Sequence, residues 1–208
     1  AKPGATSRGS LMPAMQTFDS DGHLTSESIN WSQEDSTVYL KSAGQLYLGA
    51  MTETESGGLV EIGATVRANQ KIELIGGANS DHVGVLMPGG TRVATANPAG
   101  EVIVQAAQDA HIFGQLVAGG EVIDHYDAVG SFLGSTVRNF NGDSAIRITA
   151  DGQIRLGRDL LAGKTIDVRG GSGSGTPSPA DPWADEGIVV GGNVHLRTWQ
   201  ENSNITLS

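Results

Sequence analysis

The sequence predicts an all-β protein of the β-solenoid (parallel β-helix) class, with lateral loop insertions and an irregular N-terminal arm. Three observations predict it. Bursts of alternating apolar and polar residues recur, each closed by a glycine or an Ala-Gly pair, as in SAIRITADGQIRLGRDLLAGKTIDVRGG at 144–171. Thirty glycines stand beside four Phe, three Trp and three Tyr, so bulky core fillers are scarce and turns plentiful. A shift of 44 residues lays 102–124 over 146–168 without a gap. No stretch sustains apolar residues at i, i+3, i+4 and i+7 for three turns, and this pattern leaves no place for a long helix.

Residues 1–37 form the arm and a polar lead-in. Their first 16, AKPGATSRGSLMPAMQ, mix Pro, Gly and Ser with little periodicity, and Asp21-Gly22 is a turn signal. The repeat region spans 38–170. In it Val38, Leu40, Leu46 and Leu48 fall at strand spacing around Ala43-Gly44. Under the 44-residue shift Val102, Val104, Ile112, Leu116 and Val122 meet Ile146, Ile148, Leu156, Leu160 and Ile166; Ala118-Gly119 meets Ala162-Gly163. VRANQKIEL from Val66 repeats the tail of the unit, and VYLKSAGQLYLG from Val38 repeats its head. Residues 171–187 are a Gly/Ser/Pro-rich loop, and 188–208 carry further strands, including the degenerate copy VVGGNVHL.

One such unit cannot bury its apolar side alone. Stacked units make a continuous apolar column in which each backbone pairs with the one above and below. Ala-Gly at the corners fits a turn that needs a small inward side chain, close backbone approach and often a positive φ. An antiparallel sandwich also predicts short strands and many turns, but does not require a gapless repeat. The column breaks at 50–58, 76–82, 125–143 and 171–187, where insertions project as lateral loops.

Charge and composition narrow the function. A formal net charge of -10 repels phosphate backbones, which argues against nucleic acid as a partner. The absence of cysteine excludes disulfides, thiolate metal sites and a cysteine nucleophile. No apolar run has the length of a transmembrane helix, residues 1–15 lack a signal-peptide core, and a chain opening on Ala1 reads as processed or as a piece of a longer one.

Three acid–histidine groupings invite a chemical reading: Asp81-His82, Asp109 with His111, and Asp124-His125 with Asp127. Each is a single occurrence in an acidic chain, without HxH or HExxH spacing, and solvated loop residues explain them better. TFDSDGHLTSES places Asp19, Asp21, Gly22, Leu24 and Glu27 in part of a calcium-loop pattern, yet Thr17 and Ser28 occupy both anchoring carboxylate positions, so an Asp-Gly turn is the simpler reading. A carbohydrate-cleaving β-helix would need paired acids in a groove lined by aromatics. Asp124, Asp127, Asp143 and Asp167, with Tyr126, Trp183 and Trp199, are available for that, but no spacing singles out a pair; Trp31, Trp183 and Trp199 read more simply as covers over loops and column ends. No residue is therefore assigned as catalytic, cofactor-binding or metal-binding.

With IRITADGQIRLGRDLLAGKTIDV and its partial copies VYLKSAGQLYLG, VIVQAAQDAHIFGQLVAGGEVID and VRANQKIEL in view, the chain resembles filamentous haemagglutinin-like proteins, the repetitive surface and secreted β-helix proteins of Gram-negative bacteria. The likeness covers about 38–168 and, weakly, 188–208; irregular repeats and long insertions depart from it. It implies export to the cell surface or medium, a long fibre-like β-helix, and work in adhesion, matrix or sheath building. The expected function is an extracellular structural or adhesive β-solenoid and not an enzyme, with a polysaccharide-binding or polysaccharide-cleaving β-helix as the alternative. Expected partners are copies of the chain head-to-tail or further repeats of a longer chain, with surface glycans as candidate ligands. The strand pattern NITLS at the carboxyl end has no turn or polar cap after it, which suits such an association.

Overall fold

A strand with Val, Ile or Leu at every second position has one apolar side, and that side must be covered by another sheet. The computed structural model is all-β, and it describes residues 6–8, 14–18, 24–29, 37–41, 46–47, 49–53, 59–63, 65–78, 82–129, 131–139, 141–172 and 186–208. No helix occurs among them. Three sheets are built mostly from parallel pairs, an arrangement compatible with a β-helix, and two smaller sheets are antiparallel.

The largest sheet has seven strands: Thr6–Arg8, Thr37–Lys41, Lys71–Gly76, Glu101–Ala106, Ala145–Ala150, Thr165–Arg169 and Asn204–Leu207. All its pairs are parallel except the first, where Thr6–Arg8 runs antiparallel along Thr37–Lys41. The second sheet orders Leu46–Tyr47, Val83–Met87, Asp109–Ile112, Ile154–Leu156 and Ile188–Val190. The third orders Thr65–Ala68, Arg92–Thr95, Gln115–Ala118, Leu160–Ala162 and Leu196–Thr198. From Thr37 onward the chain visits the three sheets in rotation, and each round is called a circuit below.

Register keeps like with like. Val38, Ile72, Val102, Ile146, Ile166 and Ile205 form one row across the large sheet, and Leu40, Leu74, Val104, Ile148, Val168 and Leu207 the next. Such rows join Val85, Met87, Ile112, Ile154 and Leu156 of the second sheet and Val93, Leu116 and Leu160 of the third in one buried core. The 44-residue repeat is present as Val104 beside Ile148, Ile112 beside Leu156 and Leu116 beside Leu160. It stops at the next step. Val122 does not meet Ile166: it lies in Gly120–Tyr126, which pairs antiparallel with Phe132–Asn139, while Ile166 pairs with Ile146 and Ile205. The lateral insertion thus begins at Gly120 and not at His125.

This insertion covers the outer side of the third sheet. Ala94, Val117 and Leu161 face away from the main core and form a second cluster with Val122, Val137 and Trp199. That accounts for QLVA and LLA, which are apolar at successive positions because both of their sides are buried. At the corner that follows, Gly119 has φ of 70° and a β-carbon there would overlap Ser144; Gly163 permits close approach, since a β-carbon would overlap the Gly142 carbonyl.

The N-terminal 37 residues differ from the irregular arm expected. Besides Thr6–Arg8 they hold Ala14–Phe18 and Leu24–Ile29, an antiparallel pair whose second strand joins Gly120–Tyr126. Strands Gly49–Glu53 and Leu59–Gly63 make a separate two-stranded ribbon at the first expected break. Most of the 171–187 loop, from 173 to 185, lies outside the described residues, as do 79–81 of the 76–82 break.

Candidate functional site: a polar groove along one corner

Between the second and third sheets each circuit turns through a short glycine-bearing segment: Met87 to Arg92, Ile112 to Gln115, Leu156 to Leu160, and Val190 to Leu196. Backbone bonds join these turns to one another. Phe113 N–H donates to Met87 O (2.9 Å), Gln115 N–H to Thr91 O (2.9 Å), Gly157 N–H to Ile112 O (2.8 Å), Gly191 N–H to Leu156 O (2.8 Å) and Leu160 N–H to His195 O (3.0 Å). Backbone pairing between circuits therefore continues from the sheets into this corner. Along it runs a groove of about 730 Å³, with Gly134 and Ser135 of the insertion among its lining residues.

Three kinds of group line it. Arg92 is held: it is paired with Asp124, its Nη2 donates to Ser135 Oγ (2.8 Å), and Ser135 Oγ donates to Asp124 (2.5 Å). Asp159 accepts from the His195 backbone N–H (2.9 Å) and contacts His195 Nδ1 (3.3 Å), which fixes the imidazole beside the groove. Gln115, Arg158 and Asn193 line it with side chains that have no hydrogen-bond or ionic partner among the described residues. Phe113 stands next to this line, partly exposed, with its ring where a side chain on Gly157 would be.

The groups singled out in the sequence are placed elsewhere. His82 lies by Gln108 (3.4 Å), His111 is tilted against Phe113 with ring centroids 5.8 Å apart, and His125 contacts Thr136 (2.9 Å). No group of three or more His, Asp or Glu able to hold a metal occurs among the described residues. Of the four acids considered for glycan chemistry, Asp124 binds Arg92, Asp127 accepts from Val129 and Ser131 N–H (3.0 and 2.7 Å), Asp143 pairs with Lys164 (3.1 Å) and Asp167 with Arg169 (2.7 Å). Asp167 raises the Arg169 guanidinium above its usual pKa, by hydrogen bonding first and by charge second. None of the four lines the groove. Tyr126 lies in the insertion, Trp199 packs in the second cluster, and Trp31, Trp183 and residues 19–23 of the calcium-like stretch fall outside the described residues.

Sequence reasoning missed the groove because its residues are dispersed over four turns and the insertion, far apart in the chain. A signal was present in GGTR, GQ, GRD and GGNVH, glycine followed closely by a polar side chain at the same corner of successive circuits. Comparison with known proteins gives no further identity: no protein-family model, no curated protein and no solved structure matches the chain.

Proposed function

We propose that the chain is a β-solenoid segment of an extracellular or cell-surface assembly, a bacterial fibre, sheath or matrix, that works by rigidity and contact and not by turnover. The supporting observation is the fate of the apolar rows. Ile205 and Leu207 stand in register with Ile166 and Val168, which are fully buried, yet are 43% and 48% exposed, since among the described residues Asn204–Leu207 is paired on one side alone. Val190, the last of its row in the second sheet, is also exposed. A sheet edge with an uncovered apolar row invites another strand, supplied by a second copy or by further repeats of a longer chain. The resemblance to filamentous haemagglutinin-like proteins points the same way.

Electron microscopy and sedimentation of the 208-residue protein test this. Rods or concentration-dependent oligomers are expected, and Ile205→Lys with Leu207→Lys should abolish them without unfolding the chain. A strictly monomeric, rounded particle at high concentration counts against the proposal.

A further inference from the structure

We infer that the corner groove is a binding site for an uncharged linear oligosaccharide, held lengthwise and not cleaved. This inference builds on the adhesive part of the reading above, and gives that contact surface a place and a ligand class.

The groove's direction comes first. It draws Gly90, Gln115, Arg158 and Asn193 from four successive circuits, and strands in neighbouring circuits are about 4.8 Å apart, so its floor runs about 14 Å across the strands. An extended peptide recognised by strand addition would have to lie along a free edge, and the backbone groups quoted along this corner are already paired between circuits. The floor thus offers space and side chains but no ladder.

Its chemistry comes second. Gln115 and Asn193 each present an amide with two donors and one acceptor oxygen, and Arg158 adds donors. His195 Nδ1 is oriented toward Asp159, which leaves Nε2 as an acceptor in the neutral ring. Hydroxyl groups, which both donate and accept, match this mixture; a polyanion does not. The cation Arg158 is followed directly by Asp159, Arg92 is already neutralised by Asp124, and the chain as a whole carries -10. Glycines in the floor leave room for a ring, and the partly exposed Phe113 supplies an aromatic surface at the margin.

Cleavage lacks its parts. Hydrolysis of a glycosidic bond by the usual route takes two carboxyl groups flanking the bond. Among the described residues Asp159 is the one carboxylate in the lining, and it is engaged with His195. The ligand is therefore retained, as adhesion requires.

Isothermal titration with cello-, malto-, manno- and chito-hexaose, and with heparin as a polyanion, tests the assignment. Saturable binding of at least one neutral hexaose is expected, weakened about tenfold by Arg158→Ala and again by Asn193→Ala, since each removes about one hydrogen-bonding group's worth of affinity. Arg169→Ala, on another sheet, should leave binding unchanged, and the hexaose should come back intact by mass spectrometry. Binding of none of the four, preference for heparin, binding by the Arg158→Ala and Asn193→Ala variants as tight as that of the unaltered protein, or release of shorter sugars overturns it. Rod formation is scored separately on the same samples: groove variants that still form rods isolate failure of the site from failure of the assembly.

Discussion

Ser144 shows how a small side chain can decide the path of the backbone. Fully buried at the corner between the third and the seven-stranded sheets, its hydroxyl donates to Ala118 O (2.8 Å) and accepts from Gly163 N–H (2.7 Å), so one atom joins two successive corners. Ser144→Ala leaves a carbonyl and an N–H unpaired in the interior, at about 1–3 kcal/mol each, and urea unfolding should read the loss as a lower midpoint with unchanged slope. Leu160, also fully buried and flanked in register by Leu116 and Leu196, offers a sharper test. Leu160→Ala is expected to cost about 2–5 kcal/mol, and Leu160→Asp to prevent the repeat region from folding, as circular dichroism would show. By contrast, replacing His82, His111 and His125 together with Ala should leave fold and association unchanged, because none of the three side chains is buried or belongs to either apolar cluster. At this scale the sequence was legible where side chains are apolar: Ile148, Leu156 and Leu160 are buried as their spacing requires. It was not legible for Ser144 or for Gln153, whose amide donates to Glu186 O (2.7 Å), because a buried polar residue in a turn looks in sequence like an exposed one.

The insertion Gly120–Asn139 makes the corresponding point for elements. The 44-residue shift lays GEVID at 120–124 over KTIDV at 164–168 with Val122 on Ile166, so the repeat alone assigns both to the main core. Which partner a strand finds is a tertiary matter. Here Gly120–Tyr126 turns outward and pairs with Phe132–Asn139, and its Val122 reaches the apolar outer side of the third sheet. Two ion pairs reinforce that position, Arg92 with Asp124 and Arg138 with the largely buried Glu121 (2.9 Å). Arg92→Ala should loosen the ribbon while the three parallel sheets persist. Limited proteolysis near 127–131 is expected to become faster, with no change in the thermal midpoint of the remaining core larger than about 1–2 kcal/mol would produce. Uniform destabilisation of the whole chain would show instead that ribbon and sheets unfold as one unit.

For the molecule as a whole, burial is greatest in the middle and fades toward the carboxyl end. The inward positions of Glu101–Ala106, Gln115–Ala118, Ala145–Ala150 and Leu160–Ala162 are buried, whereas Ile188–Val190, Leu196–Thr198 and Asn204–Leu207 have no buried residue. Where contacts are made chiefly with the neighbours on either side, a circuit with one neighbour is the weaker one. Amide hydrogen exchange should therefore be fastest over 188–208 and slowest over 102–118 and 145–168, and full protection of 204–207 in dilute protein would mean that a second molecule covers that edge.

The second apolar cluster has a mechanical consequence. Ala94, Val117, Leu161 and Trp199 come from four consecutive circuits, yet all belong to one apolar cluster with Val122 and Val137. A chain wound only on its neighbours would peel under tension like thread from a spool, each circuit released at a similar low force. Here the ribbon of Gly120–Asn139 shares its apolar cluster with residues from several circuits, and on the solenoid reading proposed above it would act as a staple across them. Pulled from its ends, the molecule should give up the strand at 204–207 easily, halt when the strain reaches Trp199, and then surrender several windings in a single rupture.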